Sequence, residues 1–173
     1  AHAPGQYLEM KLDDTTWVPF SIANAASDDG VLELHIQHWP ERSNSARLRS
    51  LLVAANQLEL RLPSGECVLD LEDPSPIVLI CAGTGFSQMH AMLQAAFARG
   101  LTQPIELWWA ARERRDLYLE SAALNWAASQ PNFRYFPVLE EAPEVGDAHH
   151  RALEAAGVEA AFNGHMGRID EAL

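Results

Sequence analysis

The sequence predicts a two-part chain. A small antiparallel β sheet or barrel with one helix comes first, and an α/β part on a doubly wound parallel sheet follows. Three observations carry this. From Gln6 to Leu71, apolar residues recur mostly at alternate positions in short runs, the mark of half-buried strands. After Glu72-Asp73-Pro74-Ser75-Pro76 the runs alternate with helix-length segments, which implies strand–helix–strand units and parallel pairing. At the head of that second part an aliphatic run ends in Gly83-Thr84-Gly85, and a helical pattern begins.

In QYLEMKL, Tyr7, Glu9 and Lys11 share one side and Leu8, Met10 and Leu12 the other. VPFSIAN and VLELHI are the next two strands, separated by the turn Ser27-Asp28-Asp29-Gly30. NSARLRSLL has helical spacing, and QLELRLP and ECVLDL read as strands on either side of Pro63-Ser64-Gly65. The prolines and acids of EDPSPIV mark a boundary, giving domains over 1–74 and 75–173. In the second, IVLICA is a strand whose continuous aliphatic character suits burial on both faces. A helix spans Phe86 to Arg99, PIELWWAA is a strand, RRDLYLESAALNWAAS a helix and FRYFPVL a strand. An Ala-rich helix is expected over 147–161, and GRIDEAL starts another.

The chain has 173 residues, 48% of them hydrophobic, enough for a real core. Its 24 acidic residues outweigh 12 basic ones, for a net charge of −12. Such a chain repels a phosphate backbone, which argues against nucleic acid as a partner. Local arginines and backbone N–H groups can still hold a small anionic cofactor. The longest aliphatic run, Ile77 to Ala82, is far short of a membrane span, and no signal peptide is visible. Cys67 and Cys81 make neither a disulfide framework nor a metal or iron–sulfur spacing. His149 and His150 are adjacent and point apart on a helix, so no metal site is expected. The setting this suggests is cytoplasmic and reducing.

Ligands of open parallel sheets sit beyond the carboxyl ends of the strands, where Gly83-Thr84-Gly85 lies. Glycine permits positive φ and close backbone approach. A helix opening near Phe86 offers unpaired N–H groups and the positive end of its dipole, which suit a phosphate or amide. Gly83 and Gly85 match the first two glycines of G-x-G-x-x-G, but Gln88 stands where the third belongs. A tight strand-to-helix turn explains the same residues. Arg112, Glu113, Arg114 and Arg115 follow the second strand, where a dinucleotide's adenosine ribose lies. Arginines there hold a 2′-phosphate and an acid a free 2′-hydroxyl. The competing reading is a solvated helix start.

PGQYLEMKL, PFSIAN, GVLELHIQ, ICAGTGFSQMHAML and WWAARERRDLYL come in an order and spacing that resembles the ferredoxin–NADP reductase superfamily, most nearly its small NAD(P)H:flavin oxidoreductases. The resemblance covers about residues 4 to 141, with a weaker match at FNGHMGRIDEAL. It implies a flavin-binding barrel followed by a pyridine-nucleotide domain. The family's Arg-Pro-Phe-Ser motif falls on Val18-Pro19-Phe20-Ser21. Pro19 and Phe20 would then lie by the flavin ring and Ser21 near flavin N5. Ile22 and Ala23 would present backbone groups to the ring, with His35-Ile36-Gln37 nearby. Gly83, Thr84, Gly85 and Phe86 would receive the nicotinamide, with Ser21 and Thr84 at the reacting atoms. Arg112 to Arg115 would face the adenosine ribose.

The resemblance also has departures. Val18 replaces the arginine that pairs with a flavin phosphate, so a charge-assisted contact is lost. In place of a glycine-rich pyrophosphate segment, HWPERSNSARLRS offers Ser43, Asn44, Ser45 and Arg47. Both imply loosely held flavin. The family's first barrel strands and its late Cys-Gly-x-Pro strand do not occur, so the chain is expected to be truncated at both ends. The leading reading is an NAD(P)H-dependent flavin reductase using FAD or FMN with NADH or NADPH. The second is a reductase component passing electrons to an oxygenase or ferredoxin partner. The third is a non-catalytic binding scaffold that keeps the fold.

Overall fold

The computed structural model describes residues 1–140 and the pair His165–Met166. The helices expected over 147–161 and from Gly167, with His149 and His150, lie outside those residues. The chain folds into two compact units. One is Ala1–Asp73 with Ser87–Leu101, and the other is Pro74–Phe86 with the described residues from Thr102 onward.

The first unit holds a three-stranded antiparallel sheet of β1 (Tyr7–Lys11), β2 (Trp17–Ser21) and β3 (Leu60–Ser64), ordered β2-β1-β3. Leu8 and Met10 of the central strand are buried, as the alternation predicts. The turn into β2 forms because the Asp13 carboxylate accepts the N–H groups of Thr15 and Thr16, a side-chain mimic of a backbone turn. Helix α1 (Ser43–Ala54) contributes Leu48 to a core with Leu8, Met10 and Ile22.

Two expected strands are not strands. Val31–Ile36 has no ladder: the Glu33 N–H donates to the Asn24 side chain, and the Glu33 carbonyl accepts from Ala23. Leu32, Leu34 and Ile36 still pack on the core, so the alternation reports burial without strand pairing. Glu66–Leu71 is also without a strand; its Leu69 N–H bonds the Pro4 carbonyl.

The second unit is a parallel sheet of β4 (Ile77–Ala82), β5 (Ile105–Ala111), β6 (Phe133–Leu139) and β7 (His165–Met166), in that order. Ile77, Ile105 and Phe133 stand in register. Helices α2 (Phe86–Arg99) and α3 (Glu120–Ser129) lie in the β4–β5 and β5–β6 connections. Among the described residues the sheet winds in one direction, with β4 at its edge.

Burial of β4 on both faces does not hold. Leu79 and Cys81 are buried, but Val78 and Ile80 are 53% and 46% exposed. When both faces are apolar, the run itself hides which one is covered. The expected second-unit helix also starts later than its periodicity suggests. Arg114–Asp116 is a single 3-10 turn, closed by reciprocal bonds between Glu113 and Asp116, and α3 begins only at Glu120.

Helix α2 groups with the first unit for identifiable reasons. The Gln88 side-chain amide donates to the carbonyls of Gly5 (2.8 Å) and Cys67 (3.3 Å). The Ala25 N–H donates to the Gln94 side chain at 3.0 Å, and His90 donates to the Ala23 carbonyl at 2.7 Å. The division at residues 74/75 thus leaves out a helix whose polar side chains satisfy first-unit backbone.

Candidate functional site

At the end of β4, Gly83–Gly85 form one 3-10 turn that leads directly into α2. Gly83 has φ +51, in the region that favours glycine, and no atom lies within 4 Å of where a Cβ would stand. The glycine therefore serves the backbone conformation, and the space beside it is open. The Gly83 carbonyl accepts the Trp109 indole N–H at 3.0 Å and also the Phe86 N–H. The Phe86 ring stacks on Trp109 with centroids 3.8 Å apart, and Tyr118 meets both rings edge-on. Neither Phe86 nor Trp109 is exposed at all. These aromatics hold the turn from its buried side, leaving Thr84 half-buried and Gly85 exposed. The expectation that Phe86 contacts a nucleotide is corrected for its side chain, which is sealed in the core.

The charged segment after β5 separates its four members. Arg112 and Arg115 are exposed, and Arg115 pairs with Glu113 at 2.8 Å. Arg114 turns inward, its Nε 3.1 Å from the Glu120 carboxylate, with the two side chains 6% and 2% exposed. Arg114 is thus a structural ion-pair member, and its expected place at a ribose is corrected. A 3-10 turn has three residues per turn, so Arg114 and Arg115, consecutive within it, point about 120° apart.

In the first unit, Pro19 is exposed and Phe20 is half-buried against the core. Ser21 ends β2 opposite Tyr7, half-buried, with no hydrogen-bond partner for its hydroxyl among the described residues. Val18 lies opposite Met10. Ile22 and Ala23 are fully buried, and their N–H groups donate to the carbonyls of Gln6 and Glu33. Those donors, expected to meet a flavin ring, are committed to the fold. The Ser45 hydroxyl accepts the Trp39 N–H at 2.8 Å and lies 3.2 Å from His38 Nδ1, so it closes its own loop. His35 Nε2 donates to Glu33 at 2.8 Å. Burial pushes the Cys81 thiol up to about 12, which removes it as a nucleophile near neutral pH.

A glycine turn between a parallel strand and a helix, preceded in the chain by an antiparallel sheet, is the arrangement of the ferredoxin–NADP reductase fold. The chain belongs to the oxidoreductase NAD-binding domain family, which matches residues 79–169. It is 32% identical over 168 residues to reductase component 1 of the terephthalate 1,2-dioxygenase of a Comamonas species, across 96% of this chain and 48% of that protein. It is 33% identical over 144 residues to an NAD(P)H-flavin reductase of Vibrio harveyi, across 80% of this chain and 61% of that one. Among solved structures, an Amycolatopsis cytochrome P450 reductase matches with a TM-score of 0.74 at 29% identity, across 96% of this chain and 53% of that chain. The chain thus spans about half to three fifths of the length of these relatives. Among the described residues no helix is long and apolar enough to cross a membrane.

Proposed function

We propose that the chain works in an NAD(P)H-dependent flavin reductase, residues 1–74 serving FAD or FMN and residues 75–173 serving NADH or NADPH. The observation that carries this is the open turn Gly83–Gly85, held in shape by Trp109 and Phe86, in a chain of the NAD-binding family. When bound, the nicotinamide supplies a hydride from its C4 and the flavin accepts it at N5.

The chain's own residues orient the reactants. Gly83, Thr84 and Gly85 receive the nicotinamide, with open space beside Gly83. Arg112 and Arg115 bring positive charge to the adenosine end, and Glu113 offers an acceptor to a ribose hydroxyl. The Ser21 hydroxyl has no partner among the described residues, which supports a role for it near flavin N5, and Thr84 is assigned by itself to the nicotinamide. Val18 brings no charge to a flavin phosphate, so flavin exchanges readily. Free thiols at Cys67 and Cys81 suit a reducing compartment, the cytoplasm. A second reading, a reductase component handing electrons to an oxygenase or ferredoxin partner, draws on the terephthalate dioxygenase relative.

Oxidation of NADH and NADPH, followed with FMN, FAD or riboflavin added, tests the proposal. Flavin-dependent turnover is expected. No rate above the flavin-free background with any flavin would overturn it. Turnover only with a redox protein as acceptor would favour the second reading.

A further inference from the structure

We propose that Glu33, His35 and His90 form a binding site for a divalent transition metal of the zinc class. Each side chain offers one ligand atom, and the three atoms lie within 4.8 Å of one another, inside the first unit. His90, on α2, is 7% exposed. Its Nδ1 stands 2.7 Å from the Ala23 carbonyl, which can only accept, so Nδ1 carries the proton and Nε2 the lone pair. An imidazole with its second nitrogen held by a backbone carbonyl is how metal-ligating histidines are oriented. The His35 ring meets His90 edge-on with centroids 5.4 Å apart.

His35 Nε2 already donates to Glu33 at 2.8 Å. The metal takes the place of that shared proton, and the ring proton moves to Nδ1. Two imidazoles and one carboxylate suit zinc and its neighbours, whereas magnesium and calcium prefer all-oxygen sites. In a tetrahedral site with bonds of ~2.1 Å the ligand atoms stand about 3.4 Å apart. The Glu33–His35 pair, at 2.8 Å, therefore opens by roughly half an ångström on binding, and separations of up to 4.8 Å close by about an ångström. Glu33 is exposed and lies in the segment without a strand ladder, so it can make that adjustment. Three protein ligands leave the fourth position to water. The metal would tie Val31–Ile36, which lacks strand pairing, to α2.

The site is independent of the hydride-transfer reading, because it is tested with neither flavin nor nicotinamide present. The metal-free chain is titrated with cobalt(II), read by its visible absorption, and then with zinc as competitor. The expected result is one bound metal with a four-coordinate cobalt spectrum, and no response to magnesium. Glu33→Gln and His35→Gln each weaken zinc binding about tenfold or more, as does His90→Gln. The double variant His149→Ala/His150→Ala binds like the wild type. Circular dichroism in chelator checks each fold, and the Glu33 and His35 variants carry the test if His90→Gln does not fold. Wild-type affinity no better than that of Glu33→Gln/His35→Gln overturns the proposal. So does a cobalt spectrum that stays that of the aqueous ion, an equal response to magnesium, or loss of binding in His149→Ala/His150→Ala.

Discussion

Replacing Arg114 by alanine should destabilise the protein before it changes nucleotide choice. The Arg114–Glu120 pair is 3.1 Å apart, with both side chains almost fully buried. Removing one partner leaves the other charge buried and uncompensated, which costs ~3–5 kcal/mol. At ~2–4 °C per kcal/mol for a protein of this size, Tm should fall by about 6–20 °C. Removing both charges with a shape-preserving pair, Arg114→Met with Glu120→Leu, should be within about 1 kcal/mol of wild type, since a buried pair repays its desolvation only narrowly. Thermal and urea melts followed by circular dichroism give the stabilities, and kcat/KM with NADH and NADPH gives the nucleotide choice. The reasoning fails if Arg114→Ala melts within about 1 kcal/mol of wild type while its use of NADPH falls selectively. That result would put Arg114 at the ribose.

Val18→Arg should tighten FMN by about tenfold to a hundredfold, the equivalent of one charge-assisted hydrogen bond at ~1.5–3 kcal/mol. Riboflavin, which has no phosphate, should change little, and equal tightening of both would refute the account. In the native chain a disulfide thiol reagent should label Cys67, which is exposed, and leave Cys81 unlabelled until unfolding. A Cys67→Ser variant that still reacts natively would contradict this. The Thr15 N–H most of all, and after it the Thr16, Thr15 and Arg47 side chains, hold the Asp13 carboxyl well below its ordinary range. A depressed carboxyl stabilises the fold above the unfolded pKa of about 3.9 and loses that contribution as pH falls toward the folded value. Asp13→Asn should therefore lower Tm at neutral pH, with the gap to wild type closing only below about pH 4. A gap unchanged down to pH 2 would exclude the carboxylate as its source.

The sheets and helices were legible where period and punctuation agreed. Tyr7–Lys11 alternates cleanly, and Phe86 to Arg99 is bounded by a glycine turn and by Gly100, so both elements fall where expected. Val31–Ile36 misled because alternation records burial, while strand pairing needs a neighbouring strand; here the Glu33 N–H bonds the Asn24 side chain. At the glycine turn the sequence shows the open backbone but not its support. Trp109 lies on the next strand, and an indole reads as core until its N–H is seen on the Gly83 carbonyl. Arg114 was misplaced because the 3-10 turn Arg114–Asp116 points it inward to Glu120 while Arg115 stays exposed, which sequence spacing does not reveal. Gln88 carried a faint signal, a polar side chain at a glycine position, and it bonds the Gly5 and Cys67 carbonyls. The Glu33–His35–His90 cluster had none, since His90 is distant in sequence and only the fold brings the three together.

Because Gln88, His90 and Gln94 complete the first unit, the ribosome cannot finish that unit in the order it makes it. When Asp73 emerges, the Gly5 and Ala23 carbonyls and the Ala25 N–H still lack the side chains that satisfy them. They wait until α2 has been made, a lag on the order of seconds at ~5–20 residues per second. Meanwhile the aliphatic run Ile77–Ala82 is exposed before its partner β5 exists. A nascent chain in this interval is a natural client for a holding chaperone, and a gene cut at the Pro74 linker would encode a first unit that never closes. A transplant of that unit into another reductase would have to carry residues 87–101 with it.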